Sequence, residues 1–199
     1  MDFLTQQTLV PQGARLICGL DEAGRGPLAG DVYAAAVILP DGYIPEGLND
    51  SKKLSEKKRE KLFDEIQENA LAFAIKAATP EEIDEINILN ASLLAMRRAV
   101  EALEIAPDYL LVDGNVYRSF SHPGRAVVKG DALIPAIAAA SILAKVARDR
   151  SLYELDRLYP EYGFAKHKGY PTAAHREAVL KYGPSPVHRK SFLKKILPE

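Results

Sequence analysis

Two runs near the start of the chain, Arg15 to Asp21 and Asp31 to Leu39, are apolar, rich in β-branched residues and of strand length. The stretch Gly24 to Gly30 between them predicts a turn, and the two runs together a β-hairpin. From Leu54 to Ala70 the apolar positions are 54, 62, 63, 66 and 70 among charges, a pattern that predicts an amphipathic helix with Ser55 as its N-cap. A third strand is expected at Leu71 to Ala77. Thr79-Pro80-Glu81-Glu82 then combines a capping hydroxyl, a proline at N1 and a glutamate at N3, which predicts a helix start. Leu89, Leu93, Met96, Val100 and Leu103 keep the helical spacing up to Pro107.

The short run Tyr109-Leu110-Leu111-Val112 predicts a buried strand ending in Asp113-Gly114. Arg125 to Lys129 repeats that arrangement, ending in Gly130-Asp131 ahead of a long alanine-rich helix to about Leu155. Tyr159 to Pro171, rich in glycine, proline and aromatics, reads as a linker, with short helices beyond it. No internal repeat or low-complexity segment interrupts this α/β order.

With 199 residues, 47% of them hydrophobic, the chain has the size of one domain and enough apolar material for a core. The net charge of -1 hides an asymmetry: residues 151–199 hold nine Lys/Arg against five Asp/Glu, leaving the first 150 at -5 and the tail at +4. A basic tail suits a polyanionic partner, and an ordinary soluble surface is the plain alternative. Cys18 is the only cysteine, which excludes an intrachain disulfide or a thiolate metal cluster and fits a reducing cytosol. Met1 to Val10 lacks the basic start and apolar run of a signal peptide, and Ala132 to Ala147 is too short and too interrupted to span a bilayer. A soluble cytoplasmic protein is expected.

The candidate chemistry sits where the expected strands stop. Gly19-Leu20-Asp21-Glu22-Ala23-Gly24-Arg25-Gly26 places two adjacent carboxylates before a cation set among glycines. Neighbouring strand residues point to opposite faces, so Asp21 and Glu22 are expected to serve one centre only if the strand ends and bends there. A glycine-rich turn with solvated charges is the alternative for this segment, a turn for Asp113-Gly114 and a helix cap for Asp131. Ligands gather outside the carboxyl ends of parallel strands, and there Asp21, Glu22, Asp113 and Asp131 would converge. Two carboxylates about 4 to 5 Å apart repel by roughly 3 to 4 kcal/mol at an effective dielectric near 20, a heavy load on a domain stable by about 5 to 15. A divalent cation removes that repulsion, and oxygen-only ligands favour Mg²⁺ or Mn²⁺ over zinc. Two such ions are a standard device for phosphodiester cleavage. Asn49-Asp50-Ser51-Lys52-Lys53 either offers phosphate its N–H groups and lysines or simply caps the next helix. Ser141 and Lys145, one helical turn apart, either face the same opening or turn to solvent.

These segments, together with Val128-Lys129-Gly130-Asp131, His167-Lys168-Gly169-Tyr170-Pro171-Thr172 and His188-Arg189-Lys190-Ser191-Phe192, closely resemble the bacterial ribonuclease HII family over nearly the whole chain. The resemblance implies a ribonuclease H-like fold, a mixed five-stranded sheet flanked by helices, over residues 1–158, with residues 159–199 as a helical extension packed on it. It implies a monomeric endonuclease with Asp21, Glu22, Asp113 and Asp131 as catalytic metal ligands for Mg²⁺ or Mn²⁺. The substrates would be RNA–DNA hybrids and duplex DNA containing ribonucleotides, cut 5′ of the ribonucleotide to leave 5′-phosphate and 3′-hydroxyl ends. Gly24, Arg25, Gly26 and Tyr170 would recognise the ribonucleotide, and Asn49, Ser51, Lys52, Ser141, Lys145 and Arg189 would make further substrate contacts. A 2′-hydroxyl both donates and accepts hydrogen bonds, so it is a base-independent mark of RNA.

Two rivals remain from the residues alone: another metal nuclease of the same fold, which needs no 2′-hydroxyl reader, and a nucleic-acid-binding module without catalysis, which needs no full set of carboxylates. A nucleotide-dependent phosphotransferase is weaker, since no Gly-x-x-x-x-Gly-Lys-Ser/Thr loop is present.

Overall fold

The computed structural model describes residues 3–194 and 196–197. β1 (Ile17–Ala23) and β2 (Val32–Ile38) form the expected antiparallel hairpin, and β3 (Ala72–Ala78) adds antiparallel to β2. β4 (Tyr109–Asp113) lies parallel to β1, and β5 (Gly124–Val127) parallel to β4, which completes one mixed five-stranded sheet in the order β3-β2-β1-β4-β5.

Strand alternation sorts the core onto two faces. Cys18, Leu20, Ala34, Ala36, Leu110 and Val112 pack against α3 (Pro80–Glu101). Ala35, Val37 and Leu39 meet α2 (Glu56–Asn69) and α5 (Pro135–Leu158), while Ile17 and Leu111 meet Ile134 and Ile137 at the start of α5. Gly19 permits that approach: a Cβ there would lie 2.1 Å from the Ala136 carbonyl carbon. Ser55 caps α2, and Thr79 with Glu82 forms the capping box of α3, as their sequences predict.

Four departures from the sequence reading matter for function. β1 continues to Ala23 instead of stopping at Asp21, because β2 goes on pairing with it there. The long helix is two pieces, since Pro135 holds Ile134 in an extended conformation and leaves Asp131 in the short α4 (Gly130–Leu133). α3 is likewise broken at Asn87, whose φ of 66° interrupts the helix and whose side chain accepts from the Asn90 N–H to restart it. Finally, Tyr159 to Pro171 is no linker. It holds a 3-10 turn at Pro160–Tyr162 and α6 (Phe164–His167), and the buried rings of Tyr162 and Phe164 stack at 5.4 Å.

A third core joins these rings to Leu28 and Ala29 after β1, Leu152 of α5, Val179 of α7 (Ala173–Tyr182) and Leu193 of α8 (Lys190–Leu193). Asp84 of α3 secures the last of these by accepting from the Lys190 and Ser191 N–H groups at 2.8 and 2.9 Å. An additional helix, α1 (Phe3–Thr8), precedes the sheet, and its Gln6 accepts from the Ala136 N–H at 3.4 Å, a tertiary cap for α5. Among the described residues no helix is long and apolar enough to cross a membrane.

Candidate active site

The parallel pairing of β1 with β4 ends at Leu20 opposite Val112, so Asp21 and Asp113 each stand one residue past it. Asp21 continues the face of Ile17 and Gly19 toward α5, and Glu22 the face of Leu20 toward α3. The expected bend at Asp21 is absent, and the two carboxylates stay on opposite faces. What exposes both to one opening is the end of β4, which leaves the flank of β1 uncovered while β2 still holds it straight.

That opening is a cleft of about 290 Å³ lined by Asp21, Glu22, the Gly24-Arg25-Gly26 turn, Ser51, Lys52, Ser141, Lys145 and Tyr170. Asp21 is 6% exposed, its Oδ1 accepts from the Glu22 N–H at 2.7 Å, and the nearby Ser141 hydroxyl favours its charged form. Ser141 in turn meets the Ser51 hydroxyl at 2.9 Å, which ties the Ser51–Lys53 3-10 turn to α5. The Glu22 carboxylate is paired with the Arg25 guanidinium at 3.3 Å. Asp113 lines an adjoining recess with Glu22 and Arg25, and its Oδ1 accepts from the Asp131 N–H at 3.3 Å. The Asp131 carboxylate lies 3.8 Å from the Lys52 ammonium.

The acids raise one another's affinity for protons. Burial, then Glu22 and Asp113, push the Asp21 carboxyl well above its ordinary value. Burial raises Glu22 against the opposing pull of Arg25, and burial with Asp131 raises Asp113. Partial burial would lower the Lys52 ammonium, yet the carboxylates of Asp131, Asp21, Asp50 and Asp113 raise it on balance. This is an oxygen donor set that suits a hard cation by its chemistry, although no three of its side chains, among the described residues, converge closely enough to grip one ion as they stand.

Of the other expected contacts, Lys145 lines the cleft but is held by Asp149 at 2.8 Å. Asn49 is exposed outside the cleft, and its Oδ1 accepts from the Asp50 N–H. Arg189 requires correction as a substrate contact. It is fully buried, and its guanidinium donates to the carbonyls of Gly24 (2.7 Å), Pro27 (2.9 Å), Gly30 (2.9 Å) and Arg25 (3.2 Å), so it shapes the turn from behind. Gly24, with φ at 99°, supplies the left-handed residue that the turn requires. Lys195, another basic residue of the tail, lies outside the described residues.

The sequence reading missed Arg148, also fully buried, whose guanidinium donates to the Lys168 carbonyl and lies 5.5 Å from the centre of the Tyr170 ring. It also missed the buried contact of His175 with His188 behind Tyr170. The RDR triplet and scattered histidines carry no periodicity that would reveal either.

Comparisons with known proteins give the chain a family. The family model described as Ribonuclease HII matches residues 18–195. The Ribonuclease HII of Marinomonas sp. (strain MWYL1) is 63% identical over 185 residues, covering 92% of this chain and 93% of the relative. That of Vibrio vulnificus (strain YJ016) is 58% identical over 182 residues, covering 92% and 88%. Among solved structures, the ribonuclease H2 from Pyrococcus horikoshii OT3 superposes with a TM-score of 0.75 at 31% identity, covering 90% of this chain and 96% of that one. With the carboxylate-lined cleft at the end of a ribonuclease H-like sheet, these matches establish that the chain belongs to the ribonuclease HII family, and so to the ribonuclease H endonucleases.

Proposed function

We propose that this endonuclease cuts the RNA strand of RNA–DNA hybrids and cleaves 5′ of single ribonucleotides in duplex DNA, leaving 5′-phosphate and 3′-hydroxyl ends. The observation that carries the reading is that Asp21 and Glu22 share one cleft with Tyr170 and the Gly24-Arg25-Gly26 turn. A cluster built to handle phosphate and a surface able to read a sugar therefore meet at the same nucleotide. The ring of Tyr170 sits over Gly26, where a Cβ would come within 3.4 Å of it. With the Gly24 and Arg25 carbonyls held by Arg189, the N–H groups of the turn would meet a 2′-hydroxyl without regard to base, while Tyr170, 43% exposed, offers a stacking face and a hydroxyl.

Asp21, Glu22, Asp113 and Asp131 would hold Mg²⁺ or Mn²⁺, supplying an activated water and charge relief at the departing oxygen. Ser141 favours the charged form of Asp21, and Arg25 steadies Glu22. Lys52, its side chain largely exposed at the rim, is placed to attract a phosphate, and its bond with Asp131 is one that an entering cation would loosen. Residues 159–199 serve in this reading as an extension that carries Tyr170 to the cleft.

Incubating the protein with a long hybrid and with a duplex holding one ribonucleotide, each with Mg²⁺ or Mn²⁺, tests the reading. Products of both, cut on the 5′ side with ligatable ends, are expected. Cleavage on the 3′ side, or of ribonucleotide-free DNA at the same rate, would overturn it.

A further inference from the structure

Two arginines behind the cleft, Arg148 and Arg189, are both fully buried; burial lowers the tendency of each to stay charged, and the charge of Arg148 adds to the effect at Arg189. Isolating like charges from water is expensive, and apolar side chains of similar size would often fold as well or better. Their bonds indicate what the charges accomplish. Arg189 gathers four carbonyls of the segment Gly24–Gly30. Arg148 reaches across to the other wall: one Nη donates to the Lys168 carbonyl, the other pairs with Asp149 at 3.2 Å, and the plane faces Tyr170. Lys168 itself has a left-handed φ of 51°, a conformation that a non-glycine residue keeps when its surroundings impose it.

The Nε of Arg148 lies 3.3 Å from the position a Cβ on Gly24 would take and, among the described residues, has no hydrogen-bond partner. A residue selected only to fill space would not leave a buried donor unpaired. Arg148 thus borders both the Gly24 turn and the Tyr170 segment, a span also bridged by the Leu28 N–H to the Gly169 carbonyl at 2.8 Å and by the Tyr170 ring over Gly26.

We propose that Arg148 is a positioning residue for ribonucleotide discrimination: its guanidinium sets the gap between the Gly24-Arg25-Gly26 turn and Tyr170 into which the ribose fits. This rests on the reading of Tyr170 given above. Lysine cannot substitute, because one ammonium does not supply two divergent donors and a flat face to the ring.

A double-mutant cycle tests it, with kcat/KM measured on a duplex holding one ribonucleotide and Kd on the same duplex without it. Arg148→Lys is expected to lower kcat/KM by about tenfold or more in the parent, as loss of a charged hydrogen bond does. In a Tyr170→Ala background the same change is expected to cost less than about twofold, since its effect passes through a ring no longer there. Affinity for the all-DNA duplex stays within about twofold, because phosphate contacts are untouched. Arg148→Gln, run alongside in case the lysine variant does not fold, is judged by the same ratios. Penalties that multiply in the double variant, or an equal loss of all-DNA binding, would overturn the positioning role while leaving Tyr170 as reader. A Tyr170→Ala protein with parental kcat/KM would instead overturn the reading of Tyr170, and the positioning role with it.

Discussion

His188 donates from Nε2 to Nε2 of His175 across 3.0 Å, and both rings are buried. The backbone N–H of Ser185 donates to His188 Nδ1 at 3.0 Å, so that nitrogen carries no proton. His175 in turn donates from Nδ1 to the Tyr170 carbonyl at 3.0 Å. The relay holds only when both rings are neutral, and it anchors the backbone of Tyr170 to the residue preceding Arg189.

Acid should therefore weaken the fold through this pair. Burial, then the charge of a protonated His175, lower His188 from its ordinary 6.5 to about 4. Between those values the unfolded chain takes up a proton that the folded one refuses, so stability is full above about pH 6.5 and is lost as pH falls toward 4. The contribution is about 3 kcal/mol at most. Urea unfolding of the parent and His188→Gln from pH 7.5 to 4 checks it. The parent should lose stability more steeply, the variant serving to cancel the titration of the carboxylates, and parallel curves would refute the assignment.

Asp→Asn at 21, 113 or 131 should abolish cleavage if these carboxylates are metal ligands. Removing one charge from a mutually repelling group should leave metal-free stability unchanged or raised, most clearly at Asp21, which feels both Glu22 and Asp113. Turnover and metal-free melting of the three variants are the measurements. Near-parental turnover by Asp113→Asn would remove it from the set.

Arg189→Met should destabilise the protein by at least about 2 kcal/mol, because several buried carbonyls lose their donors together. It should leave the salt dependence of duplex binding unchanged. Lys52→Gln should flatten that dependence by about 0.9 in log–log slope on B-form DNA if the lysine contacts one phosphate. Salt titrations of both variants separate the buried arginine from the exposed lysine. A reduced slope in Arg189→Met would return that residue to the interface.

Tyr170→Phe keeps the ring and removes a hydroxyl, which should slow cleavage at a single ribonucleotide by roughly 2 to 150 fold, according to whether its partner is neutral or charged. Tyr170→Ala should lose more as stacking disappears. Rates at limiting substrate decide it. Two variants as fast as the parent would make Tyr170 a packing residue.

The strands, the caps at Ser55 and Thr79 and the hairpin were legible because each depends on neighbours in sequence: alternation, helical spacing and a hydroxyl three residues from the N–H it accepts from. Asp21, Glu22 and Asp113 stood out as candidates for a related reason, as acids closing an apolar run, and Asp131 as the acid just past Arg125 to Lys129. How Asp21 and Glu22 reach a common opening was not legible, since that depends on β4 ending beside β1, and those strands are far apart in the chain.

The sequence by itself determined the α/β order, the sheet-end acids and the family, because local periodicity and short motifs carry that information. Only the tertiary structure decided that Arg189 faces inward, that Arg148 joins two walls of the cleft and that His175 and His188 form a neutral relay. A charged or titratable side chain has the same letter at the surface and in the interior. Its environment is set by segments such as Gly24–Gly30 and Lys168–Tyr170, which reach it only once the chain has packed.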